Sequence, residues 1–470
     1  LLDYRVTRWF SIPLAIFLCK RVNALNSALD REYGFWSLFR FALPTIIMMI
    51  FMSLYTIVDG IFVCRFVGSS ALSAVNIVYP LVSVVIGLGV MLATGGSAVV
   101  ARKLGEGDEE TACRDLTLLV LTGAALGTLF SLLGLAFSAP MSRLLGASDA
   151  LLSYCTDYLR ILLLFAPASI LQLLFQSFFV TAEKPHLGFW FTVGAGCTNM
   201  VLDVLMVGIW GWGVEGAAIA TFISQLVGGV LPVFYFIDRS NSSRLHLCKT
   251  SFYSKVLRDA CINGSSELMT NLSMSLVNIL YNYQLLRLAG ENGVAAYGVI
   301  MYAAFLFVAV FVGYAVGSAP IVSFHYGARN HAEVHNLYRK SLRLIAVVAV
   351  TLTLASMFII PCVARIFVGY DAELLALTSR AFRLYALSFL IMGFNVYASS
   401  FFTALGDGVT SALISFLRTL AFQVIAILLL PLLLGIDGIW LAVTAAELAA
   451  LAVSAAMLLT KDKVFHYRKA

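Results

Sequence analysis

Charge is scarce in this sequence. Of its 470 residues 12% are Asp, Glu, Lys or Arg, against about 25% in a soluble domain. Hydrophobic residues make up 61% and the mean hydropathy is +0.93. So little charge cannot cover a soluble surface of this size, which makes the chain an integral membrane protein. Its eight cysteines (19, 64, 113, 155, 197, 248, 261 and 362) stand singly, without a Cys-x-x-Cys pair. They read as small buried hydrophobes rather than disulfide partners or metal ligands. No Gly-Lys dipeptide occurs, so the chain has no Walker A loop and no nucleotide-driven engine of its own. Neither H-E-x-x-H nor G-x-S-x-G is present, so an enzyme reading has no footing and no cofactor is implied. The net charge of +6 does not point to nucleic acid, because most basic residues fall in the loops.

What the chain has is long apolar runs. A bilayer-spanning helix takes about 20 residues. Twelve spans are expected at 35–63, 71–101, 115–138, 154–181, 186–208, 213–237, 255–288, 294–321, 336–360, 377–404, 409–432 and 436–460. Gly, Pro and charge mark most breaks, as in Gly105-Glu-Gly107-Asp108 and Gly406-Asp407-Gly408. Residues 1–34 form a cytoplasmic or interfacial lead; their apolar run, Phe10 to Cys19, is too short to span. A six-helix unit at 35–237, a polar linker at 238–254, a second six-helix unit at 255–460 and a tail at 461–470 complete the division.

The two units are copies. Gly68 to Gly105 is 37 residues and so is Gly290 to Gly327, a register shift of 222. The same shift carries Gly95 to Gly317, Arg143 to Arg365, Thr181-Ala182 to Thr403-Ala404, and Gly213, Gly216 and Ala220 to Gly435, Gly438 and Ala442. Six crossings is an even number, so both copies start on one side. They are expected as parallel repeats about an axis along the membrane normal, with a site between or within the halves. Arg and Lys crowd the linker side (Arg102, Lys103, Arg114, Lys184, Arg239, Arg244, Arg329, Arg339, Lys340, Lys461), against Arg65, Arg143, Arg160, Arg287, Arg365, Arg380 and Arg383 opposite. The positive-inside rule makes both termini cytoplasmic.

Polar groups inside the spans carry the chemistry. Asp59 lies within the first span, where a carboxylate is costly unless turned to a partner or a wet cavity. Asn199 and Asp203 stand four residues apart in the fifth span and so share a helix face. Tyr158 in the fourth span and Thr221 in the sixth can complete a hydrogen-bonded cluster with them. Two neighbouring carboxylates in low dielectric make a proton site, and the same oxygens suit Na⁺. Taken alone, Asn199 reads equally as a packing amide and Thr221 as a hydroxyl bonded back to its own helix. At the shifted positions the second half has Tyr281, Ala421 and Ile425 instead. Its seventh span carries Glu267, Asn271, Ser275, Asn278 and Asn282, within about 80° of one another on a helix. This stripe either lines a hydrated substrate cavity or forms a polar seam against another helix. Arg418 and Glu447 are further charges within spans, each able to pair or snorkel.

Pro44 and Asp59 in the first span, Asn199-Met-Val-Leu-Asp203 in the fifth and Gly213-Val-Glu-Gly216-Ala-Ala-Ile-Ala-Thr221 in the sixth resemble the multidrug and toxic compound extrusion (MATE) family. The phrases Gly290-Glu-Asn-Gly-Val-Ala-Ala-Tyr297 and Ala319-Pro320 look most like its MepA-like branch. The resemblance covers about residues 35–460; Cys64 stands where the family more often has Gly, and the lead has no family counterpart. It implies an all-α, V-shaped pair of six-helix bundles in the cytoplasmic membrane, working as a monomer. By alternating access it would export organic cations as H⁺ or Na⁺ enters. It further implies that Asp59, Asn199 and Asp203 bind the coupling cation, with Tyr158 and Thr221 in the same network. A lipid-linked precursor or metabolite flippase of the same superfamily is the alternative, though such proteins usually carry more helices or more intramembrane Arg and Lys.

Overall fold

The computed structural model describes residues 28–62, 69–149, 151–369 and 371–468. The lead up to residue 27, Cys19, Cys64, Gly68 and the side chain of Asp59 lie outside the described residues. Everything regular among the described residues is helix: α1 Phe35–Phe62, α2 Ser69–Gly105, α3 Glu109–Leu144, α4 Leu152–Leu164, α5 Ala166–Thr181, α6 Pro185–Asp203, α7 Gly213–Gly229 and α8 Leu231–Ile237. After the linker come α9 Ser254–Gly327, α10 His331–Val368, α11 Ala372–Ala386, α12 Phe389–Leu405, α13 Gly408–Phe416, α14 Phe422–Leu434, α15 Ile436–Thr460 and α16 Asp462–Phe465. In lipid the backbone must satisfy itself, which is why these apolar runs fold as helix and not as open strand.

Nine helical stretches among the described residues, α7 with α8 and α13 with α14 counting as one each, can cross a membrane, and two bent pairs, α4 with α5 (52°) and α11 with α12 (46°), raise the number to eleven. The 74-residue α9 holds two spans, for it would run about 110 Å if straight. Gly290 breaks it with φ 61° and ψ −152°. Twelve spans result.

The repeat extends into local backbone detail. Asp108 caps α3 by accepting from Thr111 N–H at 3.1 Å, and Asn330, 222 residues on, caps α10 by accepting from Glu333 N–H at 3.1 Å. Gly213 and Gly435 share φ 61°, and Gly107 and Arg329 are both left-handed. The bent pairs occupy equivalent places in the two halves.

The halves meet backbone to backbone on the linker side. A Cβ on Gly264 would lie 1.9 Å from Met91 O, and one on Gly95 2.0 Å from Ala260 O. A Cβ on Gly105 would meet Phe324 O at 2.0 Å, and one on Gly327 would meet Arg102 O at 2.2 Å. Gly317 against Ala42 is the repeat image of Gly95 against Gly264, and Gly313 packs on Ile46 one turn along the same seam. Association of helices in lipid depends on such close packing of small residues, since apolar burial gives little there. Higher up, Ser83 Oγ and Ser275 Oγ are 2.9 Å apart, and Ser53 Oγ donates to Phe305 O at 3.4 Å.

Candidate functional site

In the first half the polar cluster is built on α6. Asn199 is 1% exposed and Asp203 is 0% exposed. Among the described residues neither Nδ2 nor Oδ1 of Asn199 has a hydrogen-bond partner. Asp203 ends the α-helical part of its span, because Val204–Ile209 continues as a π-helical turn. Such a turn swings the following residues around the axis and loosens the backbone ladder, and it is frequent at functional sites. Gly196 is where α6 and α1 approach: a Cβ there would be 2.5 Å from Phe51 Cε1 and 3.2 Å from Tyr55 Cδ1. Both helices leave the linker side, so the backbone of Asp59, one turn past Tyr55, is level with the turn that begins at Asn199. Tyr158 is half-buried on α4, which packs against α7. Thr221, on α7, donates its hydroxyl to Ala217 O at 3.0 Å. It therefore offers a cation lone pairs and nothing else, which is the back-bonded form.

The stripe of the second half is divided. Asn271 Nδ2 donates to Glu267 O at 2.8 Å, and its Cβ lies beside Gly87 of α2. Ser275 meets Ser83 across the seam, and Asn278 Oδ1 accepts from Tyr297 OH at 2.8 Å. Asn271, Ser275 and Asn278 thus bond within α9 or to α2, while Asn282 is exposed. Glu267 lies within electrostatic reach of Arg418.

Arg418 sits in the second half's own π-helical turn, Leu417–Ala421, and its Nη1 is 3.5 Å from Glu447 Oε1. Glu447 also accepts from Asn395 Nδ2 at 2.7 Å, and Asn395 Oδ1 accepts from Ser454 Oγ at 2.9 Å. Asn395, Ser399 and Thr403 share a face of α12. Ser399 Oγ is 2.8 Å from Ser411 Oγ and 2.9 Å from Ser415 Oγ, and Thr403 Oγ1 is 2.8 Å from Ser411 Oγ. Sequence reasoning missed this hydroxyl ladder; its signal was the four-residue spacing of 395/399/403 and 411/415. It also missed Asp115, 1% exposed with Oδ2 unpartnered among the described residues. Asp115 borders a cavity of 530 Å³ on the linker face, with Arg102, Lys103, Lys255 and Asp259. Among the described residues no group of His, Cys, Asp and Glu could hold a metal ion in the usual three-ligand manner.

The MatE family model matches twice, at residues 44–205 and 268–429, so each boundary recurs 224 residues on, within two of the register found above. The multidrug export protein MepA of Staphylococcus aureus strain MSSA476 is 22% identical over 436 residues, covering 93% of this chain and 96% of that protein. A multidrug resistance MATE family transporter of the MOP superfamily, solved in an outward-facing conformation, superposes with a TM-score of 0.86 at 23% identity, over 92% of this chain and 96% of that one. A MOP superfamily transporter from Pyrococcus furiosus, described by the reverse polarity of its binding pocket, superposes at 0.85 and 23% identity, over 94% and 98%. With the family model matched in both halves, the chain belongs to the MATE family of multidrug and toxic compound extrusion transporters.

Proposed function

We propose that the protein is an antiporter that moves organic cations out across the cytoplasmic membrane as H⁺ or Na⁺ enters, by alternating access and as a monomer. Asp59, Asn199 and Asp203 bind the coupling cation, and Tyr158 and Thr221 complete the network. The observation that carries this is Asn199. A buried amide left without partners costs about 1–3 kcal/mol; Asn199 has none among the described residues, and it sits a turn from a fully buried carboxylate, level with the backbone of Asp59 and beside a π-helical turn. Such a cost is retained where a ligand relieves it. The oxygens of Asn199, Asp203 and Thr221 suit a hard cation, and the carboxylates suit a proton.

The second half supports the same assignment by contrast. Its buried carboxylate, Glu447, already has a tethered cation in Arg418, so a mobile one is not required there. Glu267 supplies negative charge on the substrate side and favours organic cations as cargo. The flippase reading calls for more helices or more intramembrane Arg and Lys, whereas Arg418, the deep cation here, is paired with Glu447. The excess of Arg and Lys on the linker side supports a cytoplasmic position for that side and for both termini. The glycine seam then closes the cytoplasmic face, which is the outward-facing arrangement.

Dye efflux from proteoliposomes under separately imposed pH and Na⁺ gradients tests the reading. Asp59→Asn and Asp203→Asn should each abolish gradient-driven efflux while substrate binding survives, and the double variant should be little worse than either, since the two act as one unit. Full gradient-driven efflux by either folded single variant would place coupling elsewhere.

A further inference from the structure

The segment just ahead of the first span bridges the two halves. Ala28 N–H donates to Glu183 Oε2 at 2.6 Å, and Glu183 belongs to the turn between α5 and α6 of the first half. Five residues on, Tyr33 N–H donates to Glu333 Oε1 at 2.8 Å, and Glu333 is in the first turn of α10 in the second half. Tyr33 O accepts from Asn336 Nδ2 at 3.2 Å and also from Lys340 Nζ. Asn336 in turn holds Glu333 Oε2 at 2.8 Å. The Tyr33 hydroxyl donates back to Ala28 O and closes the segment into a loop. Leu29 is 0% exposed and Tyr33 4%, so the loop is packed and not merely lying on the surface.

The interhalf linker mirrors it. Arg244 Nη2 is 2.6 Å from Glu109 Oε1 at the start of α3, Cys248 N–H donates to Thr117 Oγ1 at 3.0 Å and Thr250 Oγ1 to Arg114 O at 3.0 Å. Each half is therefore preceded by a strap tied to the third span of the other half, and the 222-residue shift sets Asn336 against Arg114. Glu183 joins the two straps: one oxygen takes Ala28 N–H, and the other lies 3.7 Å from Arg244 Nη1.

We infer that residues 28–34 are a latch across the linker face that favours the state in which this face is sealed. The inference rests on the alternating-access reading. Opening this face separates Glu183 from Glu333. Five residues reach at most about 18 Å when extended, and the Tyr33–Ala28 bond keeps them well short of that. Opening must therefore first break the loop and then release an anchor, either the Glu183 carboxylate or the Glu333–Asn336–Lys340 set. Both anchors are charge-assisted hydrogen bonds, the stronger kind. Loss of one should shift the equilibrium about tenfold toward the open face, or about 1.4 kcal/mol.

The test is double electron–electron resonance on the full chain. Spin labels are carried by a ketone-bearing unnatural residue at the exposed positions His186 and Arg339, one in each half, so the native cysteines stay in place. Measured without substrate or gradient, Glu183→Ala and the Asn336→Ala/Lys340→Ala pair should each raise the long-distance population about tenfold. Tyr33→Phe, which deletes one oxygen and leaves both anchors, should raise it by a smaller factor. The Asn336/Lys340 pair leaves the Arg244 ion pair untouched and so separates the latch from the linker. A distance distribution unchanged in the folded anchor variants, or in Tyr33→Phe should the others fail to fold, would overturn the latch. Asp203→Asn should leave all these shifts intact, so loss of the coupling assignment and loss of the latch give different results.

Discussion

Glu447→Gln removes the counter-charge of Arg418 and keeps nearly everything else. The Gln carbonyl can still accept from Asn395 Nδ2, and the volume is unchanged. What remains is a guanidinium with 12% of its side chain exposed, held 3.5 Å from a neutral oxygen, with an Nε that has no partner among the described residues. Breaking a buried ion pair from one side costs about 3–5 kcal/mol. Glu267, also within reach of Arg418, offsets part of this and places the loss near the lower bound. Arg418→Met leaves the complementary problem, a carboxylate 2% exposed, but a carboxylate can take up a proton whereas a guanidinium cannot give one up. The order of damage should therefore be Glu447→Gln, then Arg418→Met, with the double variant nearest the parent, because no uncompensated charge is left. Retention of the monodisperse peak after a temperature ramp in detergent reads this order. The double variant should also keep gradient-driven efflux, since Arg418 and Glu447 neutralise each other. Loss of coupling in a double variant as stable as the parent would make the pair part of the coupling site and refute the reasoning.

Three further outcomes are expected. Gly264→Leu cannot close the seam, since its first carbon would fall 1.9 Å from Met91 O. It should expose linker-side positions to impermeant reagents and abolish efflux, and normal efflux would show the seam is not a gate. Glu267→Gln should weaken transport of cationic dyes more than of neutral or anionic ones, and equal losses would return Glu267 to packing. Burial opposes ionisation of Asp407, yet Lys461 Nζ at 2.7 Å and the Thr410 bonds outweigh it and hold the carboxyl below its ordinary range. Its stabilising effect is thus full above the ordinary carboxylate range and lost as pH falls through the lowered value. The melting gap between parent and Asp407→Asn should close over that acidic interval, and a gap independent of pH would count against the ion pair.

The spans and the repeat were legible because lipid imposes them. Apolar runs of bilayer length are helices whatever their neighbours, and a register shift shared by glycines at turns survives in sequence. Gly107 with Arg329, and Asp108 with Asn330, show the same shift acting on φ and on helix caps. The kink that divides α9 at Gly290 fell between the two spans expected there. Thr221 was readable as a back-bonded hydroxyl, since that bond is made within its own helix. The π-helical turns were not legible, for nothing in Val204–Ile209 or Leu417–Ala421 departs from an ordinary helical pattern. Neither was the partnership of Asn395 with Glu447, 52 residues apart, nor the meeting of Tyr33 with Glu333 across 300 residues. Asp115 stands at the first residue of an expected span, where a charge can meet the interface without any partner in the protein. Side-chain identity limits what a group can do, but only packing decides which groups meet.

The scaffold is symmetric where the halves touch and asymmetric where they carry charge. Gly95 against Gly264 and Gly317 against Ala42 are the same contact in two copies, so the seam can open and close about one axis without favouring either half. The polar equipment breaks that symmetry on one pair of related spans. In the fifth, an amide and a carboxylate stand buried at the start of a π-helical turn. In the eleventh, the turn carries Arg418, which pairs with Glu447 of the twelfth. A ligand biases two states only through different affinities for them. A cation covalently fixed to the helix is always present at its carboxylate and cannot carry a gradient's energy, whereas a site reached from solvent is filled or empty according to the gradient. On the coupling proposed here, one half has kept its cation site exchangeable while the other has filled its own with a side chain. The coupling stoichiometry expected from that arrangement is one exchangeable cation site per chain, located in the first half.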